Sequence, residues 1–148
     1  MNSVSTPNTS QPAGSRLAAA AGSARSPREL HQALASAFNT KDPDRVARLY
    51  EEDATLVPQP GTSVNGVKAV KEALAGFLAI DGTMQVDTIY ALECGDVALT
   101  RSAWSIHNGA EVKIAATGTE LMRRQEDGSW LFAIDHPFGA EAKSWAND

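Results

Sequence analysis

The chain changes hydrophobic period near its middle. Its first half carries apolar residues at helical spacing, and its second half carries them in alternation. Ser26-Pro27-Arg28-Glu29 opens the first helix. Ser26 can cap it, Pro27 suits the first helical position, and Glu29 completes a capping box. Leu30, Ala33, Leu34, Ala37 and Phe38 form its apolar stripe, which leaves His31 off the stripe and in solvent. Asn39-Thr40-Lys41 ends that helix. Asp42-Pro43 starts a second, with Val46, Leu49 and Tyr50 facing inward and Asp53 closing it near a pocket rim. Ala54 to Val57 is a short strand, broken by Pro58-Gln59-Pro60-Gly61. Gly66 precedes a third helix, whose stripe is Val67, Val70, Leu74, Phe77 and Leu78.

From Met84 the period is two. Four strands are expected, over residues 84–92, 97–107, 111–125 and 130–136, with turns at Glu93–Asp96, Asn108-Gly109 and Asp127-Gly128. Asp-Gly between two such runs is a strong hairpin signal. It pairs Gln125 with Trp130, Arg123 with Phe132, Leu121 with Ile134, and Glu120 with Asp135. Three helices followed by an antiparallel meander make an α+β domain. Extending these registers puts Val86, Tyr90, Leu99, Arg101, Ala103, Ala116, Gly118, Glu120, Met122, Ala133 and Asp135 on one face. Ile89, Trp104, Ile106, Thr117, Thr119, Leu121, Phe132, Ile134 and His136 fall on the other. Both faces are substantially apolar, and three helices cover only one. A second copy of the sheet is the simplest cover for the other, so the chain is expected to be a homodimer.

Composition narrows the function. The formal net charge is −5, and the only charges before Pro27 are Arg16 and Arg25, so the rest of the chain is more acidic still. Such a domain is unsuited to phosphate backbones, and nucleic acid is not an expected partner. No apolar run reaches the length of a membrane span, so no membrane association is expected. The single cysteine, Cys94, excludes an intrachain disulfide and reads as a free thiol in a reducing, cytoplasmic setting. Residues 1–25 read as a disordered tail, 26–139 as the folded domain, and 140–148 as a C-terminal tail. Three scattered histidines give no metal-site spacing, and there is no P-loop, G-x-G-x-x-G or G-x-S-x-G. Neither a cofactor nor a metal is expected.

The carboxyl pair carries the candidate chemistry. Opposed like charges on a sheet are destabilising, so Glu120 and Asp135 need a reason to coexist. One reading is an ion-pair network with Arg101 or Arg124. The other is a pocket pair that shares a proton, suited to acid–base work beside a carbonyl. His136, adjacent to Asp135, joins these two as a candidate catalytic group. Tyr50, Asp53, Tyr90, Arg101 and Met122 are candidate pocket residues.

Three stretches carry a family resemblance: FNTKDPDRVARLYEEDATLVPQPG, NGVKAVKEAL and ELMRRQEDGSWLFAIDHPFG. Together they resemble the nuclear transport factor 2-like superfamily, in particular the ketosteroid-isomerase homologues and SnoaL-like polyketide cyclases. The resemblance spans roughly Pro27 to Gly139. It implies a cone-shaped, cystatin-like curved sheet packed on the three helices, with a pocket, usually dimeric through the sheet. Relatives include isomerases, cyclases, dehydratases, transport adaptors and association domains. Ketosteroid isomerase places its general base where this chain has Pro58, so that steroid isomerisation is not expected. Two functions stay open: acid–base chemistry on a small apolar carbonyl compound, or a non-catalytic module for ligand binding or association.

Overall fold

A computed structural model describes residues 23–142. What the sequence suggests for residues 1–22 and 143–148 lies outside the described residues. The order is α1 (Pro27–Asn39), α2 (Pro43–Ala47), β1 (Tyr50–Gln59), β2 (Thr62–Asn65), α3 (Val67–Leu78), β3 (Thr83–Cys94), β4 (Val97–Asn108), β5 (Glu111–Arg124) and β6 (Trp130–His136). The strands form one curved, unclosed sheet in the order β2-β1-β6-β5-β4-β3. All neighbours are antiparallel except β1 and β6, which run parallel. The helices cover its concave face, giving the expected α+β class.

The helix starts follow the expected capping chemistry. The Ser26 hydroxyl accepts from Glu29 N at 3.2 Å, and Glu29 reaches back to Arg25 N at 2.9 Å, one residue earlier than a standard box. Asp42 caps α2 by accepting from Asp44 N at 2.9 Å. That second helix is shorter than its apolar spacing suggests. Leu49 O accepts from Phe132 N, and Tyr50 pairs with Phe132, so β6 recruits this chain segment as a strand. Tyr50 and Asp53 are therefore strand residues rather than helical ones. The early strand is also longer than residues 54–57, and it folds back on β2, which the Pro58–Gly61 breaker concealed.

Order begins before Ser26. Ala24, assigned to a tail by composition, is buried, and its carbonyl accepts from Trp130 N at 2.8 Å. At the other end, Ala140 N donates to Thr117 O at 3.1 Å.

Three bulges decide which side chains face inward. The Glu120↔Asp135 and Leu121↔Ile134 pairs match the Asp127-Gly128 register. Beyond them Ala133 is an extra residue, so Met122 pairs with Phe132, and Arg123 with Leu131 instead of Phe132. On β5, His107 pairs with Val112 but Ile106 with Ile114, leaving Lys113 extra. On β3, Thr88 pairs with Ser102 but Tyr90 with Arg101, leaving Ile89 extra. One extra residue moves every later side chain to the other face. Trp104, Ile106 and Phe132 thereby join Glu120 and Asp135 on the concave side. Tyr90, Leu99, Arg101 and Ala103 turn outward, which corrects the faces read from the sequence. The core is built on that concave side from Leu30, Val46, Leu49, Leu56, Val70, Met122, Trp130 and Phe132. A second cluster of Phe38, Met84, Val86, Trp104 and Ile106 adjoins it.

Candidate functional site

Glu120 and Asp135 are cross-strand neighbours at the bottom of the concave face, both nearly fully buried. A small cavity of about 40 Å3 lies above them. Its walls are mostly apolar, from α1, α3, β3 and β4, including Phe38, Phe77, Val86 and Trp104. Its polar wall is Tyr50, Ser102, Glu120 and Asp135. Gly118 sits beside them, where an added Cβ would lie 3.0 Å from both Glu120 Oε2 and Pro137 O. No larger residue fits there without displacing the carboxylate.

Each carboxyl has its own partners. Glu120 Oε1 accepts from the Thr100 hydroxyl at 2.5 Å and lies 2.9 Å from His31 Nε2. Its Oε2 accepts from the Ser102 hydroxyl at 2.6 Å. The other ring nitrogen of His31, Nδ1, is 2.6 Å from Thr88 Oγ1. Asp135 Oδ2 accepts from the Tyr50 hydroxyl at 2.5 Å. Among the described residues, no arginine enters this cluster. Arg124 pairs with Asp96 at 2.7 Å and Arg123 with Glu51 at 3.0 Å, both at the surface. The arginine-neutralised reading of the pair is therefore overturned. Hydrogen-bond donors and an imidazole do the work expected of a guanidinium.

The electrostatics separate the two acids. Burial first, and then the charge of Glu120, raise the Asp135 pKa to about 7, with the Tyr50 hydrogen bond opposing them. Burial, followed by Asp135, pushes the Tyr50 hydroxyl well above its ordinary value, so it remains a donor. A carboxyl that titrates near neutrality beside a phenol donor can take a proton from a carbon acid or give one to an oxygen.

Of the other candidates from the sequence, Met122 is fully buried in the core next to Glu120 and does not border the cavity. Asp53 is exposed, and its backbone carbonyl holds Asn65 at 2.9 Å, so it is absent from the cavity wall. Tyr90 lies on the convex face because of the Ile89 bulge, and Arg101 because the Lys113 bulge pairs it with Thr119 rather than placing it beside Glu120. His136 alternates to the side opposite Asp135 and does not line the cavity. Among the described residues, the buried Arg101 Nε and His136 Nδ1 have no hydrogen-bond partner.

His31 is the residue that sequence reasoning misplaced. It is 0% exposed, on a helical face with Pro27, Leu30 and Phe38. The spacing 27, 30, 31, 34, 38 includes it, so the signal was present. A polar residue on such a stripe requires a buried partner, and the partners come from β3 and β5, far away in sequence.

The SnoaL-like domain family matches residues 31–132. The chain belongs to the SnoaL-like family. This SnoaL-like match contains His31, Tyr50, Thr88 and Glu120 and ends three residues before Asp135. A search of curated proteins returned no match. Solved structures carry the same fold. One, from Thiobacillus denitrificans, is provisionally described as a calcium/calmodulin-dependent protein kinase type II association domain. It is 18% identical with a TM-score of 0.66, over 78% of this chain and 96% of that one. Another, from Streptomyces avermitilis, is provisionally described as a dehydratase of the nuclear transport factor 2-like family. It is 19% identical with a TM-score of 0.60, over 76% and 92% of the two chains. A ketosteroid isomerase-like protein from Erwinia carotovora atroseptica is 24% identical with a TM-score of 0.52, over 74% and 92%. The fold is thus associated with isomerase- and dehydratase-type enzymes, and a structure described as an association domain also carries it. Among the described residues, no three His, Cys, Asp or Glu side chains converge as metal ligands, and no helix is long and apolar enough to cross a membrane.

Proposed function

We propose that this SnoaL-like domain performs acid–base chemistry, of the isomerase, cyclase or dehydratase type, on a small and mostly apolar carbonyl compound. Asp135 is the general acid or base, Tyr50 the hydroxyl donor that orients it, and Glu120 the neighbouring carboxyl group. The observation that carries this reading is a buried Asp135 carboxyl with its pKa near 7, bordering an apolar cavity with the Tyr50 hydroxyl at 2.5 Å. General acid–base groups work best with a pKa near the operating pH. The test is turnover of small β-hydroxy ketones, enones and β-keto compounds by the wild type and by Asp135→Asn. Turnover lost in the variant supports the reading. Equal rates in both proteins, or none in either, would overturn it.

A second reading is a non-catalytic ligand-binding or association module, and cavity size favours the association form of it. About 40 Å3 is far below the roughly 300–1,000 Å3 of a pocket for a drug-sized ligand. Only the reactive end of a small molecule, or ordered water, fits without movement of α1 or α3. Saturable binding without turnover, unchanged in Asp135→Asn, selects this alternative.

The protein is also proposed to be a cytoplasmic homodimer joined through the convex face of the sheet. Ile89, Tyr90, Leu92, Leu99 and Ile134 are exposed there, and the exposed Cys94 thiol suits a reducing compartment. Light scattering that gives a monomer mass at micromolar concentration would reject the dimer.

A further inference from the structure

We propose that Thr88, His31 and Glu120 form a proton relay that connects the cavity to the surface seam between α1 and β3. The inference deepens the acid–base reading above, and it rests on geometry that this reading does not use. His31 is fully buried and outside the cavity wall, yet both ring nitrogens are engaged: Nε2 at 2.9 Å from Glu120 Oε1 and Nδ1 at 2.6 Å from Thr88 Oγ1. These two contacts satisfy the buried ring, and they also make a continuous hydrogen-bonded line from Thr88 through the imidazole to Glu120. The inner end reaches the cavity, because Glu120 borders it and also receives the Ser102 hydroxyl. The outer end reaches the surface. Thr88 is half-buried, and its carbonyl accepts from the exposed Arg28 guanidinium at 3.4 Å.

Thr88 stands immediately before the Ile89 bulge. It faces inward with Met84 and Val86 and pairs with Ser102, while past the bulge Tyr90 turns outward and Ala91, opposite the buried Thr100, faces in. Bulges often re-aim a side chain beside an active site. Here a hydroxyl stands just before the bulge, at the place where His31 descends from α1.

The transfer balances without any co-reactant. The Thr88 hydroxyl gives its proton to Nδ1 and takes one from water. Nε2–H breaks as Nδ1–H forms, and Glu120 receives the proton at Oε1. The imidazole ends with the same charge and the other tautomer. A reaction that removes one proton from its substrate and returns one uses the chain once in each direction, which restores the starting tautomer. Asp135 can then be reset through its cross-strand neighbour Glu120. His31 and Thr88 are positioning residues in this scheme, acting through Glu120.

The test is solvent exchange of the His31 ring N–H in the full chain, followed by NMR in the wild type, Thr88→Val and Thr88→Ser. The relay requires exchange to slow about tenfold or more in Thr88→Val and to return to the wild-type rate in Thr88→Ser. Loss of a merely structural contact would loosen the ring, so unchanged or faster exchange in Thr88→Val overturns the relay. Should Thr88→Val fail to fold, His31→Gln is read through the Tyr50 hydroxyl proton, where slowed exchange supports the relay and an unchanged rate overturns it. No substrate is needed, so the relay stands or falls apart from the proposed reaction. Turnover lost in Asp135→Asn, together with unaltered exchange in Thr88→Val, would keep the reaction and reject the relay.

Discussion

The two faces of this one sheet solve opposite problems. The concave face lies under helices and still holds a polar cluster of His31, Tyr50, Thr100, Ser102, Glu120 and Asp135. Among the described residues, the convex face has no helix over it, and it displays Ile89 (47% exposed), Leu92 (59%), Leu99 (47%) and Ile134 (42%). Buried polar groups are tolerated only when their hydrogen bonds are met, and this cluster meets them from five strands and a helix, Thr88 of β3 included. Exposed apolar groups carry no such requirement, and they mark a surface that a partner can cover. Polarity and burial are thus inverted between the faces, and each inversion underlies one proposed role: chemistry inside, association outside.

The sharpest way to break this contrast is at Asp135. Asp135→Asn is expected to lower turnover by roughly 10²–10⁴-fold while the protein stays folded, as assays on small carbonyl compounds would read. Next comes Glu120. Glu120→Ala strands His31, Thr100 and Ser102 beneath the helices and is expected to cost about 3–5 kcal/mol in urea unfolding, with Glu120→Gln costing about 1–3. A loss below about 0.5 kcal/mol in both would mean that water already satisfies the cluster.

Stability against pH sharpens the contrast further. The folded pKa of Asp135 is raised above its unfolded 3.8 to about 7, so the folded state holds a proton that the unfolded chain releases. Stability from this group is complete below pH 3.8 and falls as the pH rises toward 7, by roughly 2–4 kcal/mol in total. Asp127 and Glu141 lean the other way. Ser129 and Thr117 respectively hold their pKa values down, and their contribution disappears only as the pH falls through those lowered values. The two windows are separate, and Asp135→Asn should flatten only the upper one in thermal melts taken from pH 4 to 8.

Smaller effects are expected at the margins. Leu99→Lys on the convex face should weaken dimerisation at least about tenfold by sedimentation while changing the unfolding of the monomer by under about 0.5 kcal/mol. Deleting residues 1–25 removes the Ala24 carbonyl from Trp130 and should cost roughly 1–2 kcal/mol, seen as a fall in melting temperature. An unchanged melting temperature would show that Ala24 contributes nothing beyond contact.

Much of this molecule could be read from its sequence. The capped start at Ser26-Pro27, the stripe of the third helix and the Asp127-Gly128 hairpin are local signals, because capping and turn chemistry act over a few residues. The juxtaposition of Glu120 with Asp135 followed from that hairpin, since its register holds for the two pairs that matter. What the tertiary structure decided was mostly the choice of face. Ile89, Lys113 and Ala133 are ordinary residues for a strand, and nothing local marks them as extra. Each bulge arises where two strands must curve together over the helices, a demand made by the whole sheet. The same holds for Tyr50, which continues a helical stripe yet becomes a strand residue once β6 offers backbone partners. It holds for His31 as well, whose polarity suggested solvent. Its burial is tolerable only because Thr88 and Glu120, 57 and 89 residues away, converge on its two nitrogens. Period and capping are properties of a segment, whereas satisfying a buried polar group is a property of the assembled fold.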